Sequence, residues 1–156
     1  RYFMLKFTRN SVIAFDFHEA LSFEGETGPY VQYAAVRAAK ILGKWLDRGA
    51  LPDFNSVLTA AVLERQLASD DLWQLLLAAS KVDSAVERAI TSSEPAHVAK
   101  YAFQLAQAFN NFYHGDNVLQ EQDPERRTFL LWVTYYVREQ LKTTLGILGI
   151  DQPDYM

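Results

Sequence analysis

Between Pro29 and Arg48 apolar positions return with a helical period. With Tyr30 at zero and about 100° added per residue, Val31, Ala34, Ala35, Ala38, Leu42 and Trp45 fall on one arc at about +40° to +140°. Pro29 follows the turn signal Gly25-Glu26-Thr27-Gly28 and stands where proline opens a helix well, with Gly49 as the stop. A shorter helix is expected from Phe54 to Leu67. Another starts at Asp70-Asp71 and carries Leu72, Leu75, Leu76 and Ala79, its acidic start favoured by the helix dipole. A break near Ser80 leaves Ser84 to Ile90 for a further turn or two. Ser92-Ser93-Glu94-Pro95 and Asp123-Pro124-Glu125 are two more cap-and-proline starts. The first leads to about His114, where Gly115-Asp116-Asn117 ends it, and the second to about Leu148. Upstream, Arg1 to Phe7 reads as the end of a helix. Ser11 to Phe17 is β-branched and aromatic, hence extended, as an edge strand or a linker. Three proline-opened helices and almost no strand signal predict an all-α fold, an antiparallel helical bundle.

Composition narrows the classes. The chain has 156 residues, enough for one domain with its own core. No apolar run reaches the roughly 18 residues of a membrane span, and no signal peptide opens the chain. It begins at Arg1 in mid-pattern, which reads as a fragment of a longer protein. With no cysteine, disulfides and thiolate metal sites are excluded, a composition compatible with the cytosol. The net charge is −4, from 15 basic and 19 acidic residues, so bulk charge cannot hold nucleic acid here. His18, His97 and His114 lack metal-ligand spacing. There is no nucleophile elbow, and Gly43-Lys44 lacks the upstream glycine of a phosphate-binding loop. Nothing resembles an active site.

One stripe carries a sharper signal. On the same wheel Tyr33 lies at about −60° and Arg37 at about −20°. Lys40 lies at about −80° and Lys44 at about −40°, so with Tyr30 these residues stand apart from the apolar arc. Tyrosines at a core edge with wet hydroxyls account for this pattern. That is the common arrangement; the alternative is rings that stack on unpaired bases, beside cations that meet phosphate or base edges. Tyr113, beside Asn110 and Asn111 near a helix end, is a second exposed-aromatic candidate. Periodicity leaves both readings open.

These same residues carry a family resemblance. Gly28-Pro29-Tyr30-Val31-Gln32-Tyr33-Ala34-Ala35-Val36-Arg37, preceded by Leu21 to Thr27, closely resembles the start of the anticodon-binding domain of arginyl-tRNA synthetases. Leu105 to His114, with Val118-Leu119 after it, is similar to that family's second landmark. Leu145-Gly146-Ile147-Leu148-Gly149-Ile150, then Pro153-Asp154-Tyr155-Met156, is similar to its ending. Arg1 to Leu5 and Phe15 to Phe17 resemble the segment after the catalytic domain. The resemblance implies that residues 1–27 form the tail of the catalytic region and a linker, and that 28–156 form a DALR-type helical domain. That domain would grip the anticodon loop of arginine tRNA through Tyr30, Tyr33, Arg37, Tyr113 and Met156, with Lys40 and Lys44 as candidate phosphate contacts.

The implied parent is a cytoplasmic class I ligase that uses ATP and magnesium to join arginine to its tRNA. Its HIGH and KMSKS motifs are absent from this chain, so the resemblance implies no catalytic residue and no cofactor here. The implied partners are arginine tRNA and the catalytic domain of the same polypeptide. Three departures stand out. The DALR signature reads Tyr135-Tyr136-Val137-Arg138, Ala35 replaces a usual polar residue, and Tyr155 replaces a basic one. All are tolerable on a helix or in a tail. They leave room for an alternative, a helical protein-interaction domain of a degenerate synthetase relative that no longer reads tRNA. A free-standing synthetase-like protein with a different RNA target is a third option.

Overall fold

The computed structural model describes residues 1–156 as eight α-helices and one 3-10 turn, with no strand. In chain order they are α1 Tyr2–Leu5, α2 Phe17–Leu21, α3 Gly28–Leu46, the 3-10 turn Phe54–Val57, α4 Ala60–Gln66, α5 Asp70–Ala79, α6 Val82–Ser92, α7 Ala96–Gly115 and α8 Pro124–Ile147. The extended reading of Ser11 to Phe17 resolves as linker as far as Asp16, which caps α2 at Phe17: Val12 is fully exposed, and nothing in the chain offers a strand to pair with it.

Local chemistry sets the helix ends. The Thr27 hydroxyl accepts from the Tyr30 N–H at 3.3 Å, and Pro29 occupies the first turn of α3. Gly28 suits the close packing here, since a Cβ would lie 3.1 Å from the Tyr2 Cβ and would push that residue aside by a few tenths of an ångström. Asp123 caps α8 by accepting from the Glu125 N–H at 3.0 Å. Beyond α8, Gly149 takes a left-handed φ of 64°, and the Ile150 N–H returns to the Leu145 carbonyl at 2.8 Å. The single helix expected over Phe54 to Leu67 divides, because the Thr59 hydroxyl accepts from the Val62 N–H and starts α4 afresh. The turn or two expected over Ser84 to Ile90 is a full eleven-residue helix, α6.

The core is built on α8, whose Phe129, Leu130, Leu131, Val137 and Leu141 are wholly buried. It packs on α3 and α7, while α5 and α6 lie against α7. Tyr30 meets Phe103 and Arg37 meets Asn110 with the same offset in sequence, so α3 and α7 run side by side in one direction. Trp45 lies by Arg127 near the start of α8, and Gln32 by Asp151 beyond its end, so α8 runs antiparallel to α3. The bundle is therefore antiparallel through α8 but has one co-directional pair. Both members of that pair bury small residues, Ala34, Ala35 and Ala38 on α3 and Ala99, Ala102 and Ala106 on α7, which lets two backbones come close. That close approach builds the site.

Candidate nucleic-acid interface

Along one side of the α3–α7 pair runs a groove of about 190 Å³. Tyr33, Arg37, Lys40 and Lys44 line it from α3, Tyr113 from α7, and Met156 from the C-terminal tail. Val36, Ile41, Val118 and Leu119 give it an apolar floor. The i, i+4, i+7, i+11 spacing of the α3 residues turns them all toward one face, as the helical wheel requires.

Arg37 is the centre of this arrangement. Its guanidinium carbon stands 4.6 Å from the Tyr33 ring centre and 4.6 Å from that of Tyr113, so it touches two aromatic rings at once. One of its terminal N–H groups donates to Oδ1 of Asn110 at 2.8 Å. Asn110 is buried at 8% exposure, so the acceptor is fixed by packing. A guanidinium carries five N–H donors, so this bond leaves others to face the groove. Tyr33 and Tyr113 stay open to solvent, at 38% and 40% exposure. Hydrogen bonding to Arg37, followed by that residue's charge, holds the Tyr33 phenol below its ordinary value, with a smaller contribution from Lys40. The edge of Phe23 meets Tyr33 at 6.3 Å, extending the aromatic surface toward the linker.

The tail completes the groove. Gln32 donates to the Asp151 carbonyl at 2.7 Å and Lys40 to the Met156 carbonyl at 3.3 Å, so residues 151–156 follow α3 back toward Arg37. Lys44 is exposed and makes no polar contact. Tyr30 does not join the others. It is half-buried, packs on Phe103 with ring centres 5.3 Å apart, and does not line the groove. The wheel places it at the border of the apolar arc, and the nearness of α7 draws it inward. Sequence reasoning missed Asn110 as the anchor of Arg37. The signal was there, an asparagine continuing the buried stripe of Ala99, Ala102 and Ala106.

The departures in α8 have a packing role. Tyr135 lies 5.7 Å from Phe54 of the 3-10 turn, Tyr136 stacks on Trp132 at 5.8 Å, and Val137 is wholly buried. Arg138 pairs with Glu139 at 2.6 Å.

An all-helical domain with a groove of aromatic faces and cations is the class of molecule so defined. The family model described as the DALR anticodon binding domain matches residues 31–156, and the chain belongs to that family. It is 35% identical over 152 residues to the arginine–tRNA ligase of Limosilactobacillus reuteri, covering 97% of this chain and 25% of that protein. To the arginine–tRNA ligase of Lactococcus lactis subsp. lactis it is 36% identical over 157 residues, covering 100% of this chain and 26% of the relative. The chain therefore spans about a quarter of the length of these relatives. The solved Thermus thermophilus arginyl-tRNA synthetase superposes with a TM-score of 0.82 at 31% identity, over 99% of this chain and 25% of that one.

Proposed function

We propose that this chain is the anticodon-loop-binding module of an arginine–tRNA ligase. The single observation that supports it most is the Arg37 guanidinium set between two half-exposed tyrosines, Tyr33 and Tyr113, in a groove that Lys40, Lys44 and Met156 also line. Flat rings beside a multi-donor planar cation are what unpaired bases need for stacking and edge recognition. The cations Arg37, Lys40 and Lys44 in one groove supply a local phosphate attraction that a net charge of −4 does not. In this reading Tyr33, Arg37, Tyr113 and Met156 meet the loop, and Lys40 and Lys44 meet phosphates. Tyr30 supports α3 from beneath.

Residues 1–27 connect, on the same reading, to the catalytic domain of the same polypeptide, with 28–156 as the binding module. Tyr2 pins that connection to the module through a buried hydroxyl that donates to the Ala99 carbonyl at 2.8 Å. ATP, magnesium and arginine activation belong to the rest of the parent enzyme, which acts in the cytoplasm. Within this chain no group of three or more His, Asp or Glu side chains is placed to hold a metal ion. No helix is long and apolar enough to cross a membrane. A degenerate interaction domain is not favoured, because the family match and the aromatic groove point the same way.

Fluorescence anisotropy with a labelled arginine-tRNA anticodon stem-loop tests this. Tyr113→Ala removes an open stacking face and should weaken binding by about 1–3 kcal/mol. The thermal melt should hardly move, since that ring is half in water. Binding equal to the parent's would sink the proposal.

A further inference from the structure

A second cleft, on the other side of the molecule, has no part in that reading. It lies between α6 and α7 and has a volume of about 180 Å³. Lys81, Ser84 and Arg88 face it from α6 and its N-cap, and His97, Lys100 and Gln104 from α7, with the Tyr101 ring as part of the wall. Each set has helical i, i+3, i+7 spacing, so two polar stripes confront each other across one seam.

The cations there are unusual in having nothing to hold. Ten of the 15 lysines and arginines have a polar side-chain contact within the chain, such as Arg126 with Asp116 and Arg127 with the Glu121 carbonyl. Five have none: Lys44, Lys81, Arg88, Lys100 and Lys142. Three of those five line this cleft, and Lys44 lines the other groove. No carboxylate lines it, although acidic residues outnumber basic ones in the chain. On α6, Asp83 and Glu87 fall roughly 100° to 140° away from Arg88 and do not line the cleft, although the Asp83 charge is felt at the Tyr101 hydroxyl. The Tyr101 hydroxyl is already spent on the Ala79 carbonyl at 3.0 Å, and the Ser84 and Gln104 side chains, without partners, remain as donors.

We infer that this cleft is a phosphate-binding site, in which Lys81, Arg88 and Lys100 neutralise phosphate oxygens while Ser84, His97 and Gln104 donate to them. Three cations brought together repel one another, and an anion between them removes that cost. The site is separate from the tyrosine groove. Lys100 and Tyr113 lie about 20 Å apart along α7 and roughly 140° apart around it, so the groove and the cleft open on different faces of that helix. The phosphate comes either from a small phosphorylated molecule or from the backbone of a different RNA segment.

Nuclear magnetic resonance titration of the whole chain with inorganic pyrophosphate reads the site directly. Backbone amide signals over residues 81–104 should shift and saturate. The combined variant Lys81→Gln, Arg88→Gln, Lys100→Gln should lose at least tenfold in affinity while melting as the parent does, because all three side chains are exposed. Lys142→Gln, which removes the one unpartnered cation outside both the groove and the cleft, and Tyr113→Ala should both bind as the parent. A short blunt RNA duplex, with no unpaired loop, identifies the source. Competition with pyrophosphate assigns RNA backbone, and no competition assigns a small phosphorylated ligand. Shifts that do not saturate, or a combined variant that binds like the parent, overturn the site. Tyr113→Ala probes the groove alone, so failure of either site leaves the other standing.

Discussion

Arg37 of α3 and Asn110 of α7 are 73 residues apart in sequence and joined by a 2.8 Å hydrogen bond. The asparagine is buried in the seam between the helices, and the arginine reaches from it between two tyrosine rings. The geometry of the groove therefore depends on how α3 and α7 pack, and not on α3 alone.

Asn110→Ala should release the guanidinium. With the acceptor gone, Arg37 turns to water and its contacts with Tyr33 and Tyr113 loosen. Stability should fall by about 1 kcal/mol, the net value of one hydrogen bond. Anticodon stem-loop binding should weaken further than that loss explains, because the site is no longer preorganised. Asn110→Asp keeps an acceptor in place and should retain most binding. Arg37→Lys should resemble Asn110→Ala in anisotropy, since an ammonium has no planar face for two rings. Equal binding by Asn110→Ala and the parent would assign Asn110 to packing only.

Much of this was legible in the sequence. The three proline-marked starts fall within a residue or two of α3, α7 and α8, with proline in the first turn of α3 and α8 and as the N-cap residue of α7. The stripe of Tyr33, Arg37, Lys40 and Lys44 follows from a period of 3.6, and the structure gathers all four in one groove. What periodicity could not give was the neighbour. Tyr30 sits at the border of its apolar arc, and only the position of Phe103 on α7 decides that it turns inward. Asn110 looked like a helix-end residue because its partner lies on another helix. The division at Thr59 is hard to read from sequence because a lone threonine, though favoured at a cap, is still tolerated inside a helix when its neighbours are apolar.

Trp45 shows how far an apolar arc can be trusted. The wheel places it with the core, but it is only half-buried near the end of α3. Its indole N–H donates to the Ala50 carbonyl at 3.2 Å, and the Arg127 guanidinium stands 5.4 Å from its ring. Trp45→Ala should therefore cost only about 1–2 kcal/mol, against the larger loss full burial would bring. Phe109→Ala, at a wholly buried position, should cost about 3–5 kcal/mol. Urea melts of the two variants would establish the order, and a larger loss at Trp45 would contradict it.

Two phenols are buried in the fold, Tyr2 and Tyr101. Burial is the main cause that raises Tyr2 and Tyr101 well above the ordinary phenol value of 10.0, with smaller contributions from Glu26 at Tyr2 and from Tyr136 and Asp83 at Tyr101. Each hydroxyl donates to a carbonyl, Tyr2 to Ala99 and Tyr101 to Ala79. A folded value raised above the unfolded one favours folding fully below about pH 10, and that stabilisation declines as pH climbs beyond it. The domain should thus lose stability steeply above about pH 10. The double variant Tyr2→Phe, Tyr101→Phe should be less stable at neutral pH, where two carbonyls lose their donors, yet flatter in its alkaline melting profile. Calorimetric melts from about pH 8 to 11 would show it, and parallel profiles for parent and variant would rule the mechanism out.

Salt dependence separates stacking from charge in the tyrosine groove. The chain carries net charge −4, and its groove offers Arg37, Lys40 and Lys44, with Lys40 already sharing its ammonium with the Met156 carbonyl. Few phosphates can be met by so small a set. Each phosphate neutralised contributes roughly −0.7 to −0.9 to the log–log slope of affinity against salt, so three or four contacts give about −2 to −4. Stacking on Tyr33 and Tyr113 contributes nothing to that slope, because no counterion is released when a neutral ring covers a base. Lys44→Gln should flatten the slope by nearly one unit, while Tyr113→Ala should lower affinity at every salt concentration and leave the slope as it was. Anisotropy titrations with the anticodon stem-loop at four or five potassium chloride concentrations would measure both. A parent slope much steeper than about −4 would mean that the phosphate backbone dominates binding, and that the aromatic groove is not what holds the loop.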